Sequence, residues 1–420
     1  MAWLRSLSVQ VLVALAAGLA VGTAAGMGGD AVHQAVGGVE ALGGLWLNAL
    51  RMTVVPLIFC VLVTGIAQMA DAAATGRLAA RALVWFAGLL LLSALLSLGI
   101  VGLTLDLWPV SAEAAQALRA GAQAPAIGAQ TAPDFAAWLR GLAPANPIAA
   151  AAEDAVLPIV VFAVFTGFAL TRLPDGRGRP LLDVIGALGD AMILIVRWVL
   201  LAAPIGVFAL GLGVGMRAGV GAAGVLAQYV VITSLAGLAV TLVAYALGPF
   251  VGRARLNLWA RATAPVMAAA FATQSSLACL PAMIERTRDV LGAPAKVANL
   301  VLPLAVAIFR MTSPAVNLAA CLFVAAVMGI EPTPLQYAGA VAVALAVSVG
   351  SVGLPGQVSF IVSVAPICLS LGLPIDLLPI LLAVEVVPDI FRTLGNVTGD
   401  MAVTTILARE KASEVEPTQA

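Results

Sequence analysis

Long apolar runs separated by short polar stretches dominate the chain from residue 8 to residue 251. Each run is long enough, or nearly so, for a helix to cross a bilayer, which takes about 20 apolar residues. The runs lie at 8–28, 42–69, 82–105, 155–171, 184–215 and 224–251. This pattern predicts six transmembrane helices, the first being an uncleaved span rather than a signal peptide.

The pattern changes after residue 262, where Ser, Gly and Pro interrupt the apolar stretches. Two interrupted segments, 262–292 and 336–372, are each followed by a longer apolar run, at 296–329 and 376–408. This arrangement predicts two helical hairpins and two more spans, about eight spans in all, organised as an inverted repeat. Irregular backbone at membrane depth is tolerated only beside protein or water, so we expect both interruptions at a cavity.

Basic residues mark alternate connections between the predicted spans. The basic positions are Arg77, Arg81, Arg172, Arg177, Arg179, Arg253, Arg255, Arg261, Arg286, Arg288, Lys296, Arg409 and Lys411. The positive-inside rule places these connections and both termini in the cytoplasm. The predicted loops on the opposite side are 29–40, 216–223 and 330–336, together with the longer, partly ordered segment 106–154.

Composition agrees with a membrane location, because 62% of the 420 residues are hydrophobic and only 10% are charged. Soluble proteins carry about 25% charged residues. The formal net charge is zero, which gives no reason to expect a nucleic-acid partner. The four cysteines lie in apolar runs and His33 is the only histidine. We therefore expect neither a metal site nor a cofactor.

A stripe of polar residues runs along one face of the last predicted span. At 100° per residue, all of its members fall within roughly a third of the helix circumference. They are Glu385, Asp389, Arg392, Thr393, Asn396 and Asp400. Ionisable groups at membrane depth cost several kcal/mol each unless they are paired or hydrated. The stripe therefore predicts a polar cavity, with an internal salt-bridge ladder as the alternative.

The residue types in the stripe suit an amino acid or a dicarboxylate. Arg392 can hold a carboxylate through two parallel hydrogen bonds, and Asp389 can accept hydrogen bonds from an ammonium group. Thr393 and Asn396 can orient a second carboxylate. Ser275 and Ser276, at the first hairpin interruption, are candidates for anion binding at a helix N-terminus, or simple helix caps.

Several motifs resemble the dicarboxylate/amino acid:cation symporters, the family of bacterial and neuronal glutamate transporters. The motifs are Arg51-Met-Thr-Val-Val-Pro-Leu-Ile-Phe, Ala145-Asn-Pro-Ile, Ala270-Phe-Ala-Thr-Gln-Ser-Ser, Gly353-Leu-Pro-Gly and Asp389-Ile-Phe-Arg-Thr-Leu-Gly-Asn-Val-Thr-Gly-Asp400. The resemblance covers nearly the whole chain, and the last motif is the most specific. It implies the glutamate-transporter fold, with re-entrant hairpins, in an all-α polytopic membrane protein of the bacterial inner membrane.

The resemblance also implies a homotrimer with an elevator mechanism, in which a transport domain moves against a scaffold. The implied parts are scaffold helices in 1–76, a transport-domain helix in 77–107, an outer loop and scaffold helices in 108–223, the rest of the transport domain in 224–409, and a cytoplasmic tail in 410–420. The second hairpin would act as the gate.

Carried over by matching position, the resemblance assigns roles to the polar stripe. Asp389 would hold the substrate amino group, Arg392 the side-chain carboxylate, and Thr393 with Asn396 the main carboxylate. The hairpin tips would contribute backbone groups at Ser276 and Gly353. The substrate would be aspartate, glutamate or a C4-dicarboxylate, and the intact Asp389 favours an amino acid.

The sequence departs from the family at its sodium signature, Asn-Met-Asp-Gly-Thr. The aligned residues here are Phe309-Arg310-Met311-Thr312-Ser313, and the family's Thr-Ser pair in the third span falls near Leu89-Leu90. Glu385 stands where Asp is usual. Sodium needs several oxygen ligands, which Phe, Leu and Arg side chains do not supply. The sodium ligands are therefore predicted to be lost.

We interpret the region of Arg310, Met311, Thr312, Ser313, Glu385 and Asp400 as an altered coupling site. The guanidinium of Arg310 would occupy the space of a sodium ion and neutralise Asp400, or it would simply join two spans. Protons would then replace sodium, because Glu385 or Asp389 can bind a proton in a site of low dielectric constant. The alternatives are a sodium-coupled symporter and an uncoupled exchanger or anion channel.

An intramembrane aspartyl protease is the competing enzyme class, since it also needs two membrane aspartates. Asp389 and Asp400 lie on one helix, about 16 Å apart along its axis. The Gly-x-Gly-Asp motif of such proteases is absent from the sequence. The pattern therefore favours a transporter and not an enzyme.

Overall fold

The computed structural model describes residues 7–121, 135–219, 221–350 and 356–415, and within these ranges the chain forms helices and their connections. The helices are α1 Leu7–Ala25, α2 Asp30–Ala74, α3 Arg77–Leu107, α4 Ala112–Gly121, α5 Phe135–Gly141, α6 Pro147–Ala152, α7 Val156–Arg172, α8 Gly178–Leu201, α9 Ala203–Ala218, α10 Gly221–Phe250, α11 Leu256–Thr273, α12 Ser276–Asp289, α13 Ala295–Ile308, α14 Ser313–Met328, α15 Pro334–Gly350, α16 Gly356–Ser370, α17 Leu378–Val384 and α18 Val386–Val415. A short 3₁₀ turn spans Pro174–Gly176.

The lengths and surfaces of these helices are those of a multi-pass membrane protein. In the described ranges, five helical segments are long and apolar enough to span a bilayer: α2, α3, α8, α10 and the pair α13–α14 taken together. Large apolar side chains face outward, for example Phe165, Trp198 and Leu242, each at least 60% exposed. Such a surface suits lipid and not water, as the sequence predicts.

Two predicted boundaries in the first half of the chain are wrong. The stretch 29–40, predicted to be a loop, lies almost wholly in α2, which begins at Asp30. The single run 184–215 consists of two helices, because α8 ends before Ala202 and α9 begins at Ala203. Pro204 explains the division, since its ring has no N–H and clashes with the carbonyl four residues earlier in a continuous helix.

Part of the predicted loop 106–154 is folded against the bundle. Ala115 and Leu118 on α4 are buried, and α4 packs on α9, α10 and α14. Arg119 donates a hydrogen bond to the carbonyl of Met328 at 3.2 Å. At the other end of the chain, α18 continues to Val415, so the predicted tail at 410–420 begins as helix. Residues 122–134 lie outside the described ranges.

The helices pack in two groups, and both α2 and α4 contact each group. In one group, α1 and α2 pack on α9, and α2 also packs on α7 and α8. In the other, α18 packs against α10, α11, α12 and α13, while α14 packs against α3 and α10. Helices α15 and α16 contact α2, and Arg51 on α2 forms a 2.7 Å ion pair with Asp376, between α16 and α17. The scaffold and transport domains predicted from the sequence remain predictions.

Both predicted interruptions lie between paired helices. Helices α11 and α12 pack against each other, and the chain reverses at Gln274, which has a left-handed φ of 50°, and at Ser275. Helices α15 and α16 likewise pack against each other on either side of 351–355, which lies outside the described residues. How deeply either pair enters a bilayer stays a prediction.

Candidate functional site

The predicted span 296–329 is broken in its middle, although its hydrophobic pattern predicts one continuous helix. Helix α13 ends at Ile308, Phe309 is extended (φ −116°, ψ 110°), and α14 begins at Ser313. Pro314, in the first turn of α14, explains the break: in a continuous helix its ring would clash with the carbonyl of Arg310. The altered sodium signature is therefore unwound backbone buried inside the protein.

Thr312 joins this unwound segment to α18. Its backbone N–H donates to Oδ1 of Asn396 at 3.0 Å, and its hydroxyl lies 2.8 Å from the same oxygen. The hydroxyl is also 2.7 Å from the carbonyl of Arg392. These contacts fix the Asn396 amide, whose Nδ2 is buried and has no hydrogen-bond partner among the described residues. Asn396 therefore keeps a donor for a ligand.

Two glycines allow this close approach. A Cβ on Gly395 would lie 2.3 Å from a methyl of Thr312, and one on Gly399 would lie 2.9 Å from the sulfur of Met311. Cβ atoms essentially never come within 3.0 Å of a heavy atom from a packed neighbouring segment. Both glycines belong to the longest motif in the sequence, and the sequence alone gives no sign of this packing role. Because neither glycine has a side chain, residues 309–312 can pack directly against α18.

The polar stripe of α18 is buried throughout. Each of its six residues is at most 3% exposed: Glu385, Asp389, Arg392, Thr393, Asn396 and Asp400. Arg310, on the unwound segment, is 5% exposed. Pro388 removes one backbone donor near the start of α18, and Glu385 stands at the junction of α17 and α18. The structure thus brings the predicted site residues on both segments into one closed polar interior.

Arg392 is already paired with the carboxylate of Glu385, at the junction of α17 and α18. Its Nη2 donates to Oε1 of Glu385 at 2.6 Å, and its Nη1 lies 3.9 Å from Oδ1 of Asp389. The second Glu385 oxygen accepts a hydrogen bond from the Tyr229 hydroxyl at 2.7 Å. Part of the salt-bridge ladder, left open as an alternative, is therefore present. Tyr229, on α10 and fully buried, was not predicted.

Arg310 and Asp400 lie on facing segments of the site. The charge of Arg310 interacts with those of Asp400, Asp389 and Arg392. Neither oxygen of Asp400, which is fully buried, accepts a hydrogen bond from the described residues. The structure therefore shows no hydrogen bond from Arg310 to Asp400, which would be the most direct form of the predicted neutralisation. A buried carboxylate in this state needs a proton or a cation nearby.

The positions where sodium ligands are predicted to be lost are apolar in the structure. Phe309 stacks on Phe86 of α3 with ring centroids 4.4 Å apart, and Leu89 and Leu90 are buried beside them. The described residues contain no group of three or more His, Cys, Asp or Glu side chains arranged to hold a metal. Near the unwound segment, the predicted coupling residues whose side chains supply oxygen atoms are Thr312, Ser313 and Asp400. The backbone carbonyls supply the others.

The first hairpin tip reaches the polar stripe. Nε2 of Gln274 donates to the carbonyl of Val386 at 3.3 Å, next to Glu385. Ser275 caps α12, as the alternative predicted, since its hydroxyl accepts from the N–H of Ala278 at 3.3 Å. Ser276 is 5% exposed, and its hydroxyl has no hydrogen-bond partner among the described residues. Gly353, predicted for the second tip, lies outside the described residues.

A cluster of buried charges inside a bundle of apolar, interrupted helices is the architecture of a membrane transporter for charged solutes. Comparison with known families agrees. The chain belongs to the sodium:dicarboxylate symporter family, whose sequence model matches residues 7–410. It is therefore a membrane-embedded transporter and not an enzyme, as the sequence predicts.

Curated relatives span nearly the whole chain. A proton/glutamate-aspartate symporter of Escherichia coli strain K12 is 28% identical over 415 residues, covering 96% of this chain and 92% of the relative. A C4-dicarboxylate transport protein of Rhodopseudomonas palustris strain BisB5 is 28% identical, covering 97% and 88%. A C4-dicarboxylate transport protein of Laribacter hongkongensis strain HLHK9 is 26% identical, covering 96% and 89%.

Proposed function

We propose that the protein imports an acidic amino acid, or a C4-dicarboxylate, in symport with protons. The observation that carries this proposal is the arrangement of Tyr229, Glu385 and Arg392. The carboxylate of Glu385, which can bind a proton, accepts a hydrogen bond from the Arg392 guanidinium, which would otherwise bind the substrate. Substrate and proton therefore act on the same buried pair.

The donors left in the site favour an anionic substrate. A substrate carboxylate would take the place of Glu385 on Arg392, and the free Nδ2 of Asn396 would donate to a second carboxylate. Ser276 would add its hydroxyl from the hairpin tip. Asp389 supplies a negative charge within this group and favours an ammonium, and hence aspartate or glutamate over a C4-dicarboxylate. The names of the relatives include both substrate classes.

Competition between Glu385 and the substrate couples transport to protons. The Glu385–Arg392 contact is a charge-assisted hydrogen bond between side chains at most 1% exposed. An incoming carboxylate must displace Glu385, which leaves a buried carboxylate without its cation unless a proton binds it. Proton binding to Glu385 and substrate binding to Arg392 therefore favour each other, and this linkage is reciprocal.

Charge balance in the site supports proton uptake. The three carboxylates of Glu385, Asp389 and Asp400 face the two guanidiniums of Arg310 and Arg392, which leaves one formal negative charge. The substrate adds a further net negative charge, one for an acidic amino acid and two for a C4-dicarboxylate, in an interior closed to water. One or more protons on the carboxylates lower the electrostatic cost of crossing the membrane.

Arg310 would replace a sodium ion as a fixed internal cation. It stands on the unwound segment, beside Phe309, and its charge acts on Asp400 and Asp389. A guanidinium that is always protonated supplies a permanent charge where a bound ion would supply a removable one. Sodium would then have no part in coupling. The simpler alternative is that Arg310 only holds the two segments together.

The family resemblance extends the proposal to the transport cycle. We infer a homotrimer in the bacterial plasma membrane with both termini in the cytoplasm. The moving unit would contain α3 and α10–α18, and the scaffold would contain α1, α2 and α7–α9. The Arg51–Asp376 ion pair would then cross the boundary between them.

Sodium-coupled symport is the second candidate function, and the state of Asp400 favours it. Its two oxygens are buried without a hydrogen-bond donor, as ligands of an absent cation would be. Backbone carbonyls of the unwound segment are further oxygen ligands of the kind that hard cations prefer. The proton proposal explains the same atoms by protonation of Asp400.

Competition for labelled L-aspartate uptake tests the substrate class. Proteoliposomes containing the purified protein receive an inward proton gradient and an excess of unlabelled L-glutamate, succinate or L-lysine. We expect L-glutamate to abolish the signal, succinate to reduce it and L-lysine to leave it unchanged. Inhibition by L-lysine but not by L-glutamate would contradict the roles of Arg392 and Asn396.

A further inference from the structure

Two cysteines form a buried pair outside the polar site. Cys321 on α14 and Cys368 on α16 have their sulfur atoms 3.1 Å apart. Cys368 donates its S–H to the Cys321 sulfur, and Cys321 donates its own to the carbonyl of Val364 at 3.5 Å. Both residues are fully buried free thiols. The two helices therefore meet at a point where oxidation can join them.

The two sulfur atoms lie close to bonding distance. A disulfide has its sulfur atoms about 2.05 Å apart, so the two sulfurs need to approach by only about 1 Å. All four cysteines lie in the described ranges, and no other two sulfurs are in contact. Cys279 has the hydroxyl of Thr273 as its neighbour, at 3.9 Å, and Cys60 lies on α2. Intramolecular oxidation thus has one favoured site.

We propose that Cys321 and Cys368 are a redox modification site: a small, neutral hydroperoxide converts them to a disulfide that fixes α16 to α14 and slows transport. The polar interior is closed, since its charged side chains are at most 5% exposed. Some of the helices that cover it must separate before a solute enters. Helix α16 is one of the helices that cover the site, because it contacts α17 and α18. Helix α14 begins at the unwound segment.

The reaction balances with the hydroperoxide as the only oxidant. One cysteine attacks the terminal oxygen of the hydroperoxide, breaks the O–O bond and releases an alcohol, which leaves a sulfenic acid. The second thiol attacks that sulfur, forms the S–S bond and releases water. Two thiols and one hydroperoxide thus yield one disulfide, one alcohol and one water. The two electrons lost by sulfur reduce the peroxide.

Burial of the pair determines which oxidants act. A neutral hydroperoxide can pass through apolar surroundings, whereas a bulky, charged disulfide such as oxidised glutathione cannot reach sulfurs that are fully buried. We therefore expect tert-butyl hydroperoxide to oxidise the pair and oxidised glutathione to leave it reduced. Rapid oxidation by glutathione disulfide would show that the site is open and would contradict the inference.

Counting free thiols tests the modification without any assumption about the substrate. The full-length protein is treated with tert-butyl hydroperoxide, denatured, alkylated with N-ethylmaleimide and weighed intact. Four alkyl groups are expected before oxidation and two after it, with peptide mapping locating the link at Cys321 and Cys368. Retention of four alkyl groups would overturn the proposal. So would a loss of two groups in the Cys368→Ser variant.

The functional consequence is measured on the same samples in proteoliposomes. The reference is a Cys60→Ser/Cys279→Ser variant, which retains only the pair. We expect oxidation to lower its L-aspartate uptake at least fivefold, a phosphine reductant to restore it, and Cys368→Ser to be insensitive. Disulfide formation without loss of uptake would refute the locking of α16. Absence of uptake from every reduced sample would instead count against the proposed substrate.

Discussion

Replacing Glu385 by Gln removes the charged competitor for Arg392 and keeps the shape of the side chain. In the wild type, an incoming carboxylate displaces a 2.6 Å hydrogen bond between two ionised groups that are at most 1% exposed. Hydrogen bonds to charged groups are worth about 1.5–3 kcal/mol; we place the bond between two ionised groups at the upper end of this range and the bond from Arg392 to a neutral Gln amide at the lower end. The substitution therefore lowers the cost of displacement by up to about 1.5 kcal/mol, which corresponds to roughly tenfold in affinity.

Isothermal titration of purified protein with L-aspartate at pH 5.5 and pH 8.0 measures this effect. We expect wild-type affinity to fall from pH 5.5 to pH 8.0, because the proton that releases Arg392 is lost from Glu385. The Glu385→Gln variant should bind about tenfold more tightly than the wild type at pH 8.0 and should show little dependence on pH. It should also exchange substrate across a membrane without concentrating it.

A matched control keeps the comparison specific. Glu331, an exposed acid between α14 and α15, is replaced by Gln, and this variant should keep the wild-type dependence on pH. Size-exclusion chromatography and thermal unfolding establish that both variants fold. The reasoning is refuted if Glu385→Gln keeps the wild-type pH dependence, or if it binds L-aspartate more weakly than the wild type at pH 8.0.

Three further predictions concern the unwound segment and the contact between the helix groups. Arg310→Asn should either abolish uptake or make it respond to sodium, and unchanged, sodium-insensitive uptake would exclude Arg310 as a fixed cation. The Arg310→Asn/Asp400→Asn double variant should unfold at a higher temperature than the Arg310→Asn variant, since a buried carboxylate without its cation costs about 3–5 kcal/mol. Thr312→Val removes the hydroxyl contact to Asn396, worth about 1 kcal/mol, and should weaken L-aspartate binding several-fold in titrations, whereas wild-type affinity would show that this contact does not orient the amide. Arg51→Gln breaks a partly exposed ion pair with the connection before α17 and should raise the rate of L-aspartate exchange by up to about fivefold at unchanged affinity, because such pairs contribute about 0.2–1 kcal/mol; an unchanged rate would indicate that this contact persists through the cycle.

The polar stripe was predictable because helical geometry is regular. Placing Glu385, Asp389, Asn396 and Asp400 on one face needs only 100° per residue and the rule that membrane charges are not left facing lipid. The same reasoning predicts that the stripe is buried, and its residues are buried in the structure. The roles of its members in binding a substrate stay predictions.

The contacts of the stripe were not predictable in the same way. Tyr229 lies 156 residues before Glu385, within an apolar run where a single tyrosine gives no sign of its partner. The pairing of Arg392 with Glu385 depends on how the junction between α17 and α18 orients both side chains. Long-range packing decides such contacts, and one sequence contains no direct record of it.

The break at 309–312 had a visible signal that the hydrophobic pattern concealed. The flanking residues are apolar on both sides, so the run 296–329 looks continuous by hydropathy. Pro314 and the close approach allowed by Gly395 and Gly399 are what separate α13 from α14. Proline is common in the first turn of a helix, so Pro314 is a local signal that a new helix begins there.

Labelled L-aspartate uptake into proteoliposomes distinguishes proton-coupled from sodium-coupled transport. Three conditions are compared: an inward proton gradient without sodium, an inward sodium gradient at equal pH, and no gradient. We expect the proton gradient alone to drive accumulation above equilibrium and sodium to have no effect. Accumulation that requires sodium would contradict this expectation and would make Asp400 with the backbone of 309–312 a cation site. Uptake that never exceeds equilibrium would identify an uncoupled exchanger or channel.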